Sequence, residues 1–171
     1  MDRRTLIVSS VGVLATGSLS AAEQPSLRSR LIGAWSLTEA VTIRGNETFP
    51  WFGRHPPITG NLVYTEGGRI SVHIAGAPPG TISRADFIKL SAAERAAWLD
   101  EYYAYYGTFE IDEVANVVTH HIVSSLLPYE TATTLKRDIS INGDMLSLLT
   151  PSRDDGGGRT TFNRLVWKKV T

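Results

Sequence analysis

The stretch Leu31-Ile32-Gly33-Ala34-Trp35-Ser36-Leu37 decides how this chain is read. From here to Arg44 the side chains alternate. Leu31, Gly33, Trp35, Leu37, Val41 and Ile43 fall on one face. Ile32, Ala34, Ser36, Thr38, Ala40, Thr42 and Arg44 fall on the other, and most of these are small or polar. Successive side chains leave a strand on opposite faces, so a period of two predicts a half-buried strand over 31–44. Glu39 interrupts the apolar row, which predicts either a bulge or an inward-facing acid.

The same alternation recurs downstream, over 58–66, 69–75, 104–112, 117–125, 130–141, 145–150 and 159–170. Turn chemistry separates these segments. Gly67-Gly68 and Asn142-Gly143 supply the positive backbone angles that tight hairpins need. A further turn falls at Glu113 to Asn116, and Pro151 to Gly158 is polar and glycine-rich. Gly76-Ala77-Pro78-Pro79-Gly80 cannot be a central strand, because proline has no N–H to give to a ladder. One segment reads as a helix, about 91–103. Ser91-x-x-Glu94 is a capping box, Ala92, Ala93, Ala96 and Ala97 favour helix, and Trp98 and Tyr102 are spaced to anchor it to the remainder of the fold. Residues 45–57 carry Phe49, Trp51 and Phe52 among prolines; such a loop either caps a barrel mouth or packs outside the core. The fold class expected is therefore all-β: an eight-stranded, up-and-down antiparallel barrel with one inserted helix. A two-sheet sandwich is the rival architecture.

Composition narrows the function. The chain has 171 residues, the size of one domain, with a hydrophobic fraction of 42%. Lys+Arg and Asp+Glu are 17 each, a balance unlike the basic excess of nucleic-acid binders, so no nucleic-acid partner is expected. There is no cysteine, which excludes disulfides, thiolate catalysis and a lipid anchor on cysteine. Residues 1–22 read as a signal peptide. Arg3-Arg4 precede an apolar run from Leu6 to Leu14, and Ser20-Ala21-Ala22 offers small residues to a signal peptidase. The run is too short to span a membrane, so no transmembrane segment is expected in the mature chain. The arginine pair resembles a twin-arginine export signal, with Asp2 where Ser or Thr is more usual. The division expected is a signal peptide over 1–22, a linker over 23–30 and one barrel domain over 31–171, in a periplasmic or secreted protein.

Several blocks, in order, resemble the bacterial and fungal lipocalin-like domain family, a group of calycin-type barrels. They are the opening stretch, Leu62-Val63-Tyr64-Thr65 with Gly68-Arg69-Ile70-Ser71-Val72, Tyr105 to Asp112, Val118-Thr119-His120-His121, and Asn163-Arg164-Leu165-Val166-Trp167. The resemblance implies a lipocalin-like barrel that binds a small hydrophobic or amphipathic molecule in its lumen. It further implies a barrel floor built on Gly33 and Trp35, with an arginine from a late strand packed on the tryptophan. Arg164 is the positional match and Arg137 the alternative. Some such barrels are cyclases or isomerases, so a cofactor-free isomerase or cyclase using the same lumen is the alternative function.

Candidate ligand-binding residues are Tyr64, Tyr105, Phe109, His121, Ser125, Arg137 and Asn163, with Trp167 a further lining candidate. Adjacent strand residues face opposite ways, so only one of His120 and His121 looks inward. Alternation groups His121 with Ser125 and His120 with Val118 and Ile122; the reading leans to His121 inside and leaves His120 open. A lumen histidine could be a general acid/base, a ligand-orienting donor or a haem ligand. Arg137 shares a row with Leu135, Ile139 and Ile141, so it could hold a carboxylate or enolate, or stack on Trp35. His121 and Arg137 are thus the candidate catalytic residues. His55, His73, His120 and His121 lack close metal-ligand spacing on one face, and no phosphate loop, nucleophile elbow or dinucleotide fingerprint occurs. Neither a metal nor a cofactor is expected.

Overall fold

The computed structural model describes residues 25–77 and 80–171. The expected signal peptide lies outside the described residues. The strands are β1 (Gly33–Arg44), β2 (Glu47–Pro50), β3 (Thr59–Tyr64), β4 (Arg69–Ala75), β5 (Tyr102–Asp112), β6 (Val117–Ser125), β7 (Thr134–Asn142), β8 (Met145–Leu149), β9 (Arg153–Asp154) and β10 (Thr160–Lys169). Their order is β1-β3-β4-β5-β6-β7-β8-β10, every pairing is antiparallel, and β10 returns to pair with β1. The sheet is therefore a closed eight-stranded up-and-down barrel, not a sandwich. The short strands β2 and β9 extend β1 and β10 at one end.

Hairpin chemistry sets the register. At 66–68 the Gly68 N–H donates to the Thr65 carbonyl and Gly68 takes φ +75°, the signature of a three-residue loop closed by a left-handed residue. Between β7 and β8, Asn142 pairs with Met145, so the two-residue loop is Gly143-Asp144, one position beyond the expected centre. Gly143, at φ +58°, supplies the positive angle.

Two bulges reset the alternation. The β1–β10 register shifts between Leu37 and Glu39, which turns Ala40 and Thr42 inward and Glu39 outward. Of the two readings of Glu39, the bulge is correct. In β6, Tyr106 pairs with Ser124 but Gly107 pairs with Ile122, leaving Val123 as the extra residue. Val123 is exposed, and the residues on either side of it change parity. Gly107 makes this possible: a Cβ there would stand 2.0 Å from the His121 carbonyl oxygen.

One end of the barrel is plugged. The end of the expected linker and Leu31, expected to open the first strand, form instead a short helix, α1 (Leu27–Leu31), capped by Ser26, whose Leu31 is fully buried; β1 begins at Gly33. Trp35 Nε1–H donates to the Leu31 carbonyl at 2.9 Å. Lys169, not Arg164, lies over the Trp35 ring: its Nζ is 5.1 Å from the centroid and donates to the Arg30 carbonyl at 2.8 Å. Arg164 points out of the barrel and its Nε donates to Glu39 at 2.7 Å. The parity of β10 explains the correction. Asn163, Leu165, Trp167 and Lys169 share the inward row, so Arg164 cannot.

The connection from β4 to β5 holds two helices rather than one. These are α2 (Arg84–Lys89), capped by Ser83, and α3 (Ala92–Leu99), which carries the expected capping box. The helix stops short of residue 103 because β5 begins at Tyr102, whose exposed side chain belongs to the outer face of that strand. Tyr102 therefore does not anchor the helix, and Trp98 is only half-buried.

Candidate functional site

The inward rows stack in layers from the plugged end to the open one. Trp35, Tyr64, Ile70, Phe109, Val118 and Leu146 fill the bottom, all buried. Above them a cavity of about 240 Å³ remains, reaching up to the loops at the opposite end. Its walls are largely apolar, with Leu62, Val72, Ile74, Leu148 and Leu165 from the strands and Trp51, Tyr103, Tyr105 and Trp167 as aromatic panels. Polar groups enter at Glu130, Arg137 and Asn163, and Phe52, Pro151 and Arg153 lie around the opening. A mainly apolar enclosure with a few convergent polar groups is the usual form of a small-molecule site.

The aromatic loop after β2 caps the mouth. Trp51 is buried and meets Tyr103 edge-on at 5.1 Å between centroids. Arg54 stacks on Trp51 with its guanidinium carbon 4.7 Å from the ring, and its Nε and Nη2 donate to the carbonyls of Glu101 and Tyr102. His55 Nδ1 bonds the Glu101 carboxylate, and the His55 backbone N–H donates to the same group. The side-chain bond from His55 holds the Glu101 carboxyl below the usual carboxylate range. The loop is thus fastened to the start of β5.

Beneath the cavity sits a polar triad. His120 is buried; Tyr64 Oη lies 2.7 Å from its Nε2 and Tyr105 Oη 2.8 Å from its Nδ1. Burial pushes the imidazole pKa well below its ordinary value, helped by the positive charge of Arg137, so the ring is neutral. Burial likewise raises both phenols, which stay protonated. A neutral imidazole donates from one nitrogen and accepts at the other. Tyr64 is fully enclosed and has no second partner among the described residues, so its O–H must donate to Nε2. The Nδ1–H then donates to Tyr105, whose own O–H is left for the lumen it lines.

The sequence candidates are distributed as follows. Tyr105, Arg137 and Asn163 line the cavity. Tyr64 and Phe109 lie below it, in edge contact at 4.8 Å, with Arg28 of α1 stacked on Phe109. His121 is on the outside, 3.5 Å from Glu110, and His120 is the inward histidine. Ser125 does face inward, opposite Tyr105, but at the rim, where its Oγ donates to Glu130 at 3.0 Å. The Val123 bulge explains both results, because it puts Ser125 on the side of His120 instead of His121. With both ring nitrogens of His120 occupied by tyrosines, neither histidine presents a free nitrogen to the lumen.

Sequence reasoning missed Glu130, which accepts from both Tyr103 Oη and Ser125 Oγ, and Arg153 at the opening. Glu130 falls in the strand expected over 130–141 but lies in the turn ahead of β7, and Arg153 falls in the turn expected over 151–158 but forms the short β9. Two further features mark the wall. Trp167 Nε1–H is buried without a partner, and Arg137 forms no salt bridge among the described residues, its one hydrogen bond going to the Lys136 carbonyl.

The family model for the lipocalin-like domain matches residues 32–170. The chain therefore belongs to the lipocalin-like domain family. Among curated proteins none matches it.

Proposed function

We propose that this lipocalin-like protein binds a small hydrophobic or amphipathic molecule in its lumen. Membership of the family supports ligand binding in general, and the observation that carries the proposal here is the walled cavity of about 240 Å³ above a plugged floor. Leu62, Val72, Leu148 and Leu165 would remove apolar ligand surface from water, each buried methylene contributing about 0.8 kcal/mol. Arg137, Tyr105 and Asn163 would fix its orientation. The closed mouth loop with Trp51 would exclude water from the bound molecule.

Native mass spectrometry of protein purified from its own host, paired with titration of an environment-sensitive apolar dye, tests this reading. The expected results are a co-purifying small molecule of defined mass, or saturable dye binding at one site. Leu165→Trp, which fills the lumen, should abolish either. An empty barrel that takes up no dye, or dye binding untouched by Leu165→Trp, would overturn the proposal.

The protein is further proposed to act in the periplasm or outside the cell. Support comes from the leader-like residues 1–22, with Arg3-Arg4 ahead of the apolar run. A mature chain in the exported fraction that starts after Ala22 is the expected finding. A full-length chain beginning at Met1 and confined to the cytoplasm would refute it.

A further inference from the structure

We infer that the lumen is built to receive an anionic oxygen, so that the ligand is a small carboxylate with an apolar body. This rests on the lumen-binding reading above and specifies it.

The free hydrogen-bonding capacity of the cavity wall is one-sided. Trp167 contributes only its ring to the wall; its indole N–H has no partner among the described residues but is sealed from the lumen, so it offers nothing to a guest. Tyr105 contributes an O–H. The enclosure of Tyr64 fixes the imidazole tautomer of His120, and that tautomer leaves Tyr105 accepting from Nδ1–H with its own proton to give. Asn163 has its amide oxygen engaged by Thr42 Oγ1 at 2.8 Å, so only its N–H₂ group remains to offer. Arg137 contributes a guanidinium, again a donor only, and no carboxylate among the described residues lies within 4.0 Å of it.

Against these donors stands one acid, Glu130, and it already accepts from Tyr103 and Ser125. The remaining capacity of the wall is donors and the uncompensated positive charges of Arg137 and, at the opening, Arg153. A neutral apolar guest would leave those charges unanswered. A carboxylate answers them, since a guanidinium matches its two oxygens and charge-assisted bonds are the strong ones. Tyr64 and His120 do not touch the ligand in this arrangement; they are positioning residues that hold the Tyr105 proton towards it.

The test uses three probes of one shape: 2-naphthoate, its neutral isostere 2-naphthamide, and 2-methylnaphthalene. Binding to the full mature protein is measured at pH 7 by calorimetry and tryptophan fluorescence. The expected result is that 2-naphthoate binds roughly tenfold or more tightly than 2-naphthamide, the scale of one charge-assisted hydrogen bond. Arg137→Met should erase that preference, lowering 2-naphthoate affinity roughly tenfold more than it changes 2-methylnaphthalene affinity. Tyr105→Phe, which removes the phenol proton, should reduce it, so the inference stays testable should Arg137→Met fail to fold. Equal binding of naphthoate and naphthamide, or a preference that survives both substitutions, would overturn the carboxylate assignment while the lumen reading stands. Failure of all three probes to bind, together with failure of the dye, would remove both.

Discussion

His120 should make this barrel lose stability in mild acid, over a pH range where its carboxylates are still charged. The ring is buried, neutral and bonded at both nitrogens, and its pKa lies well below the ordinary value in the folded state. In the unfolded chain it returns to about 6.5. Above that value neither state binds the proton, so the full stability is present. As the pH falls below it the unfolded state takes up a proton that the folded state refuses, and stability falls. Between pH 7 and pH 5 the loss from this one group reaches about 2 kcal/mol. With a urea slope of about 2 kcal/mol/M, that moves the midpoint by roughly 1 M. The assay is urea unfolding at half-unit pH steps for wild type and His120→Gln. Glutamine can accept from Tyr64 and donate to Tyr105 without titrating, and His55, His73 and His121 remain in both proteins. The wild-type midpoint should fall more steeply, and nitrogen NMR at pH 7 should show the proton on Nδ1 of His120. Parallel midpoint curves from pH 7 to 5 would refute the account of a neutral, enclosed imidazole, and a proton on Nε2 would refute the deduction about Tyr105.

Gly107→Ala should destabilise the barrel by about 2–4 kcal/mol in chemical denaturation, since the new Cβ would meet the His121 carbonyl oxygen at 2.0 Å and backbone cannot step aside cheaply. Lys169→Met should shift the floor measurably, by about 1 kcal/mol, through loss of the cation over Trp35 and the bond to Arg30, whereas Arg164→Ala should cost less than about 1 kcal/mol because its pair with Glu39 is half-exposed. The reverse ranking in thermal unfolding would return Arg164 to the floor. Trp51→Ala should cost about 3 kcal/mol and speed the entry of an apolar dye in stopped-flow fluorescence, because it removes the buried panel against Tyr103 and Arg54. Unchanged entry would show that the loop does not gate the lumen.

Much of the site is legible in local chemistry alone. Arg137 sits in an unbroken row with Leu135 and Ile139, and β7 has no bulge, so its inward direction follows from simple alternation. Tyr105 and Asn163 are placed the same way in β5 and β10. The two histidines are not. Their facing depends on whether alternation is counted from the Val118 end or from Ser125, and the two counts disagree because Val123 is looped out. Glu130 heads the strand expected over 130–141, but it sits in the turn 128–130 and β7 begins only at Thr134, a boundary that only the closed barrel defines.

The eight barrel strands, their hairpin order and the class of fold are written in the linear chain, though not the short β2 and β9, because period-two alternation and turn residues act over a few neighbours. So is the set of residue types available to a lumen. Three outcomes belong to the folded barrel: which way the interrupted strands face, that Lys169 and not Arg164 covers Trp35, and that His120 is sealed between two tyrosines. They depend on the pairing of β10 with β1 and on one residue too many in β6 opposite Gly107. A bulge is a property of two strands in register, so a single strand's sequence shows the parity it would have without the partner that shifts it.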